Sequence, residues 1–163
     1  MPAPDRTLLV VLLAALASAS ACRRARPAGP TRTIVHPNGL VLAIPEAFGG
    51  KPVSVDQTAT GFDVELEPRD VRLPTRAQVT FVAGGAQPAG PWPERRTVRG
   101  ATIRYFVDDF PDASIGSGGE EYELRAWEIN PGGYVAYSQH VQTEGDPDFA
   151  LIWALIEGTK PPP

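Results

Sequence analysis

Few side chains in this 163-residue sequence have the types and spacing that catalysis or metal binding requires. The histidines His36 and His140 lie far apart, and neither has a Cys or a second His at metal-ligand spacing. Ser117 stands between glycines, but the spacing of a nucleophile elbow is not met. Two carboxylates could in principle act as an acid/base pair, although exposed acidic turns are far commoner. The sequence therefore predicts a protein that is not an enzyme and holds no metal or cofactor of its own.

Acidic side chains are concentrated in one stretch. Positions 108–123 hold six acids and no base, whereas positions 69–104 hold seven Arg and two acids. The stretch from Asp108 to Glu120 predicts a long, glycine-rich loop between two strands, and such loops are often functional. Its carboxylates can pair with arginines or help to bind a cation such as Ca²⁺. The alternative is a mobile surface hairpin without a partner.

A second loop, residues 84–93, carries an aromatic side chain, Trp92, which is either a contact residue for a partner or a lid on the core. Together the two loops supply the candidate partner-binding residues. These are Asp108, Asp109, Asp112, Ser117, Glu120, Glu121 and Trp92.

The N-terminal residues 1–21 have the features of an export signal, with an apolar run too short to span a membrane. Ala19-Ser20-Ala21-Cys22 resembles a bacterial lipobox, in which the Cys is lipidated and becomes the mature N-terminus. Acylation of Cys22 would anchor the protein to a membrane. Lipoproteins that stay in the inner membrane usually carry Asp directly after the lipidated Cys. This chain has Arg23 at that position, which resembles lipoproteins sorted to the outer membrane. The alternative is an ordinary signal peptide, which would leave a soluble periplasmic protein with one free thiol.

The charge distribution divides the mature chain. Residues 22–33 are rich in Arg and Pro, which is typical of a tether whose arginines lie against a membrane surface. The alternative is a solubilising linker without membrane contact. Without residues 1–33 the chain keeps 10 Lys and Arg against 18 Asp and Glu, a net charge of −8. That charge excludes a general affinity for nucleic acid. Residues 34–160 are predicted to form one globular domain, and residues 161–163 a Pro tail.

The pattern of the domain predicts the α+β class, with an antiparallel β-sheet of about six to eight strands covered by a C-terminal helix. Alternating apolar residues and turn residues indicate the strands. They are expected at 33–35, 40–44, 53–57, 62–67, 78–83, 101–107, 121–129 and 134–142. In the helix, Asp146 is expected to cap, Trp153 to be a main anchor to the sheet, and Gly158 to end the element.

The combined features resemble the periplasmic lipoprotein immunity proteins of type VI secretion systems that neutralise a peptidoglycan-cleaving muramidase effector. The resemblance rests on the lipobox, Asn38-Gly39-Leu40, Ile44-Pro45, Thr60-Gly61-Phe62, residues 116–127 and residues 148–155. It implies a PsbP-like fold and a calcium-dependent complex in which acidic loops enter the substrate groove of the effector. The alternative is a PsbP-like lipoprotein of the cell envelope that binds a ligand or assists assembly.

Overall fold

The computed structural model describes residues 29–66, 75–85, 88–90, 92–110 and 120–163. Within them the chain forms eleven strands and one helix. The strands are β1 Thr31–Val35, β2 Val41–Pro45, β3 Ala47–Phe48, β4 Lys51–Gln57, β5 Gly61–Leu66, β6 Arg76–Ala83, β7 Glu94–Val98, β8 Ala101–Phe110, β9 Glu120–Asn130, β10 Gly133–Thr143 and β11 Thr159–Lys160, and the helix is α1 Ala150–Gly158. Antiparallel sheets with one C-terminal helix confirm the predicted α+β class.

The strands form two sheets. The larger sheet has the order β3-β4-β5-β6-β10-β9-β8-β7, and the smaller sheet has the order β1-β2-β11. Every one of these pairings is antiparallel. Most neighbours in the larger sheet are also neighbours in the chain. The turn at residues 130–133 pairs β9 with β10, as the sequence predicts. On its other side β10 pairs with β6, where Gly133 lies opposite Ala83. The strand β10 therefore lies in the middle of the sheet.

The larger sheet has two faces of different character, because alternate side chains of a strand point to opposite sides. The inner face carries the apolar residues of the core, among them Phe62, Val79 and Leu124. The outer face of β9 carries Glu123, Arg125 and Trp127.

The core lies between the inner face, the first hairpin and the helix. Leu40, Leu42 and Ile44 come from the first hairpin, and all three are fully buried. From α1 the buried residues are Leu151, Ile152, Leu155 and Ile156. Ile103 and Val135 extend the same cluster along the inner face. Burying an aliphatic side chain of this size stabilises a fold by about 1.5–3 kcal/mol, so these positions dominate the packing energy.

The start of α1 differs from the prediction. The N-cap position is Phe149, and it makes no side-chain capping bond, so Asp146 does not cap the helix. Asp148 Oδ1 instead accepts a hydrogen bond from the Ala150 N–H at 2.9 Å. The buried Gln139 of β10 accepts another from the Ile152 N–H at 2.8 Å. Trp153 is only partly buried, at the edge of the core, and the main anchors are the four buried aliphatic residues of α1.

Gly158 is the last residue of α1, as predicted, but the reason is a close approach of two backbones. A Cβ atom at this position would lie 1.9 Å from the carbonyl oxygen of Ala43 in β2. The absence of a side chain lets the helix end against β2. The chain then enters β11, where Thr159 pairs with Leu42 and its hydroxyl donates to the Leu155 carbonyl.

Several strand bounds differ from the predicted ones. The short strands β3, β7 and β11 were not predicted, because none of them shows an alternating apolar pattern. Thr31 to Thr33, which the composition groups with the tether, pair with β2 as part of β1. Both β8 and β9 extend into the stretch predicted as a loop. Among the described residues, no helix has the length and apolar character needed to cross a membrane.

Candidate functional site

The predicted acidic residues meet at the end of the ribbon formed by β8 and β9. Asp108 and Asp109 lie in β8, and Glu120 and Glu121 lie in β9, so none of the four belongs to a loop. Asp108 is paired with Glu123. These five residues, Asp108, Asp109, Glu120, Glu121 and Glu123, are called the acidic end below. Strand pairing holds their backbones in a fixed register, so their positions relative to one another are set by the sheet.

The acidic end is divided between the two faces of the sheet. Asp108 and Asp109 are adjacent in β8 and therefore point to opposite sides. On the outer face Asp108 is joined by Glu121 and Glu123, and on the inner face Asp109 is joined by Glu120. The sequence placed Asp108, Asp109 and Glu120 in one loop, and Glu121 and Glu123 at the start of the strand that follows it. The structure brings together three acids on the outer face and separates two from them.

Two side chains lie close to the outer-face acids, Arg125 and His140. Arg125 Nε donates to Glu123 Oε2 at 2.8 Å, and His140 Nε2 lies 3.5 Å from Glu121 Oε2. The hydrogen bond with Glu123 raises the pKa of Arg125, and the negative charge of Asp108 adds to the effect. Among the described residues, no salt bridge includes Asp108.

On the inner face, Tyr122 lies beside the acids. Its hydroxyl donates a short hydrogen bond to Glu120. That bond raises the pKa of Tyr122 to about 12, and the negative charges of Glu120 and Asp109 act in the same direction. The tyrosine thus stays protonated at neutral pH and serves as a hydrogen-bond donor to the acidic end.

Trp92 lies on the outer face. Its ring meets the ring of Phe106 edge to face at a centroid distance of 4.9 Å, and that of Trp127 at 5.5 Å. Trp92 is half-buried, while Trp127 beneath it is almost fully buried. Because Phe106 is paired with Arg125, Trp92 stands next to the outer-face acids. Trp92 packs on the outer face of the sheet and not on the main core, and its part in partner binding stays a prediction.

Two of the candidate residues, Asp112 and Ser117, lie outside the described residues. Their part in partner binding stays a prediction.

The histidines take different positions. His36 is buried in the first hairpin, where its Nε2 contacts the carbonyl oxygen of Thr58 at 2.9 Å and its Nδ1 accepts from the Asn38 N–H. These contacts connect two hairpins and occupy both ring nitrogens. His140 is exposed beside Glu121. In the part of the chain that the structure describes, no three His, Cys, Asp or Glu side chains gather closely enough to hold a metal ion.

One carboxylate is buried inside the protein. Glu128 lies on the inner face of β9, where it accepts hydrogen bonds from Arg99 at 2.8 Å and from the Tyr137 hydroxyl at 3.2 Å. Burial raises the pKa of Tyr137 far above its ordinary value, and the charge of Glu128 adds to this. The Glu128 carboxylate is hydrogen-bonded to two side chains of the protein and lies on the inner face. Its contacts are therefore those of a structural ion pair.

The comparisons with known proteins identify the family of the chain. Residues 41–160 match the type six secretion immunity 3 domain, a stretch that covers the domain from β2 to β11. The chain belongs to the Tsi3 immunity family. The immune protein Tsi3 of Pseudomonas aeruginosa is 33% identical over 156 residues, which cover 93% of this chain and 97% of that relative. The protein is therefore a type VI secretion immunity protein, and its family points to an inhibitor that binds a cognate effector.

For this Tsi3-family chain, the sequence reasoning missed Arg125 and His140 as parts of the acidic end. The signal was present, since charged residues at positions 121, 123 and 125 alternate with apolar ones and predict one exposed face. What the sequence does not contain is the register of β8 and β10 against β9. That register places Asp108 and His140 on either side of Glu123.

Proposed function

We propose that this protein is a membrane-anchored periplasmic immunity protein that binds and inhibits a peptidoglycan-cleaving muramidase effector of a type VI secretion system. Membership of the Tsi3 family carries the immunity function. The nature of the effector follows from the resemblance of the sequence and is part of the proposal. An export signal ahead of Cys22 supports it, because a wall hydrolase acts in the compartment to which such a signal leads.

The anchor in this proposal is an acylated Cys22, followed by the tether of residues 22–33. Both lie mainly outside the described residues. The arrangement supports interception of an injected enzyme close to the membrane face. Arg23 favours the outer membrane, and Arg23→Asp should move the protein to the inner-membrane fraction.

Inhibition is proposed to use the acidic end as a plug for the substrate groove of the effector. The outer-face acids Asp108, Glu121 and Glu123 stand at one end of the larger sheet, where β8, β9 and β10 lie side by side. Charge pairs between such acids and basic groove residues would be desolvated on binding, and close pairs of this kind can be worth several kcal/mol. The net charge of −8 of the domain would also steer a basic effector towards it.

A calcium-dependent complex is a further part of the proposal. The described acidic residues do not gather into a cation site of their own. The ligands of the ion would therefore come from the effector, or from the effector and this chain together. Chelation should then weaken the complex without unfolding the immunity protein, which thermal unfolding with and without chelator would measure.

The second candidate function is a PsbP-like lipoprotein that binds a ligand or assists assembly. One observation favours it, an open groove on the outer face that Trp92 and Phe106 line. A carrier of apolar ligands is expected to have an apolar cavity. This groove differs from such a cavity, because amide, hydroxyl and ionised side chains also line it. The immunity function remains the better supported of the two.

The deciding experiment combines co-purification with a lysis assay. The chain is expressed with the product of the gene adjacent to its own, and lysis is followed with the full chain and with a form lacking residues 1–21. We expect protection by the exported form alone, and a stable complex with the purified effector. Lysis at the same rate in the presence of the exported protein would overturn the proposal.

The anchor has its own test. Cys22→Ala should move the protein from the membrane to the soluble periplasmic fraction, while Ser20→Ala serves as a matched control in the same signal. Membrane recovery of Cys22→Ala equal to that of the unchanged protein would contradict lipid anchoring.

A further inference from the structure

The outer face of the larger sheet carries an open groove that the immunity function does not explain. It has a volume of about 600 Å³, within the range of small-molecule sites. Its floor is formed by β6, β10 and β9, and one wall by residues 88–90 and Trp92. The groove runs beside the acidic end, since Glu123 and Arg125 line it too.

The wall of the groove is held in place by its own tryptophan. The Trp92 indole N–H donates to the Pro88 carbonyl oxygen at 3.0 Å, which folds the segment back on itself. Gly90 fits under the ring, where a Cβ atom would come within 3.2 Å of the indole nitrogen. The ring then rests edgewise on Phe106 and Trp127. The aromatic wall is therefore preformed, which lowers the entropic cost of binding a ligand.

Polar side chains with free hydrogen-bonding capacity alternate with the aromatic rings. The amide of Gln78 and the hydroxyls of Thr80 and Ser138 line the floor beside Tyr134. Within the described part of the chain, none of these four side chains makes a hydrogen bond. The Trp127 indole N–H, buried under Trp92, also has no partner there. The groove thus offers donors and acceptors that the fold itself does not use.

The charges of the groove cancel. Its lining includes one cation, Arg125, and one anion, Glu123, and the two are paired at 2.8 Å. The lining therefore offers a charged ligand no net charge to attract it. Nucleotides are further disfavoured by the net charge of −8 of the domain, because phosphates would be repelled. An acyl chain would leave Gln78 and Ser138 buried without partners, which costs free energy.

We propose that this groove binds a neutral saccharide chain. A pyranose ring presents an apolar face of C–H groups, which fits against Trp92 and Phe106, and an edge of hydroxyls, which fits the amide and hydroxyls of the floor. The inference stands on the groove alone and does not depend on the nature of the effector.

The test is a titration of the full lipidated chain, held in a zwitterionic detergent without a sugar head group, with cellotetraose and with tetra-N-acetylchitotetraose. Binding is followed by calorimetry and by saturation transfer to the sugar protons. We expect saturable binding of at least one of the two. Gln78→Ala and Trp92→Ala should each weaken binding by about tenfold, the effect of losing one good contact.

Matched controls separate the groove from the rest of the surface. Gln57→Ala, on an exposed position of β4, and Trp153→Phe, on the other side of the sheet, should leave the affinity unchanged. Gln78 is exposed, so its substitution does not disturb the core.

The absence of saturation at about 10 mM of both saccharides would overturn the proposal. So would binding that Gln78→Ala and Trp92→Ala leave unchanged. A loss of effector binding in these two variants, with no saccharide binding in the unchanged protein, would assign the groove to the effector interface. The protection assay reads the immunity function separately, so the two proposals fail independently.

Discussion

Gln139 of β10 and Ile152 of α1 are joined by a hydrogen bond of 2.8 Å, from the helix N–H to the side-chain oxygen of the glutamine. The amide nitrogen of the same side chain donates to the Asp148 carbonyl at 3.0 Å. Gln139 is almost fully buried. The Gln139 side chain therefore pairs with two backbone groups at the start of the helix, the Ile152 N–H and the Asp148 carbonyl. Backbone N–H groups of the first turn have no partners within the helix.

Gln139→Leu should destabilise the protein although leucine is close to glutamine in size and suits a buried position. The Ile152 N–H would be left buried and unpaired, and an unsatisfied buried group costs about 1–3 kcal/mol. Chemical denaturation followed by circular dichroism measures the change. Gln57→Leu, at an exposed position, is the matched control and should shift stability by less than about 0.5 kcal/mol. Equal stability of Gln139→Leu and the unchanged protein would show that water or another group caps the helix.

Reversing single charges at the acidic end should separate the two faces. Asp108→Lys should weaken effector binding by about tenfold or more, because it puts a cation beside Glu121 and Glu123 where a basic partner is expected. Asp109→Lys should have a smaller effect, since it lies on the opposite face. Surface plasmon resonance at low and high salt measures both, with Asp56→Lys on β4 as a distant control.

The outcome of this comparison is decisive for the mechanism. Unchanged affinity in both Asp108→Lys and Asp109→Lys would remove the acidic end from the interface. A larger loss in Asp109→Lys would assign the interface to the inner face beside Tyr122.

Short stretches of the sequence predict those elements of the fold whose signal lies within the element itself. The alternation from Glu121 to Trp127 predicts a strand with one exposed face, and the structure has both. The turn after β9 predicts the pairing with β10 in the correct order. The C-terminal helix follows from its apolar spacing. In each case the signal and the element occupy the same few residues.

Non-local contacts explain the errors. The edge strand β7 has an Arg-rich sequence without alternation, and it forms because β8 supplies its hydrogen bonds. The helix starts at Ala150 because its caps come partly from Gln139, on another element. Asp108 and Asp109 were placed in a loop because glycines follow them, whereas pairing with Glu123 and Tyr122 keeps them in β8. Composition alone identifies these acids, but strand register decides which face they share.

The packing of α1 predicts a contrast between two of its large side chains. Leu155 is fully buried against the core, while Trp153 lies at its edge, between Tyr105 at a 5.0 Å centroid distance and the Arg96 guanidinium at 4.2 Å. Leu155→Ala should cost about 2–5 kcal/mol. Trp153→Ala should cost less, in spite of the larger group removed, because its site opens to solvent. Urea unfolding ranks the two, and the reverse ranking would show that Trp153 is the main anchor.

The buried tyrosine predicts a loss of stability at alkaline pH. Burial raises the pKa of Tyr137 in the folded protein, while in the unfolded chain a tyrosine ionises near pH 10. Above that pH the unfolded state releases a proton that the folded state keeps, so the free energy of unfolding falls as pH rises. The contribution of this one group is about 1.4 kcal/mol per pH unit, until the raised pKa is reached.

Tyr137→Phe isolates this effect. The variant loses the hydrogen bond from the Tyr137 hydroxyl to Glu128 and should be less stable than the unchanged protein at about pH 8, by about 1–2 kcal/mol. Its stability should fall less between about pH 10 and about pH 11, because the group that titrates has been removed. Tyr105 and Tyr122 are present in both proteins, so their contributions cancel. Parallel pH profiles for the two proteins would mean that Tyr137 ionises in the folded state as readily as in the unfolded chain.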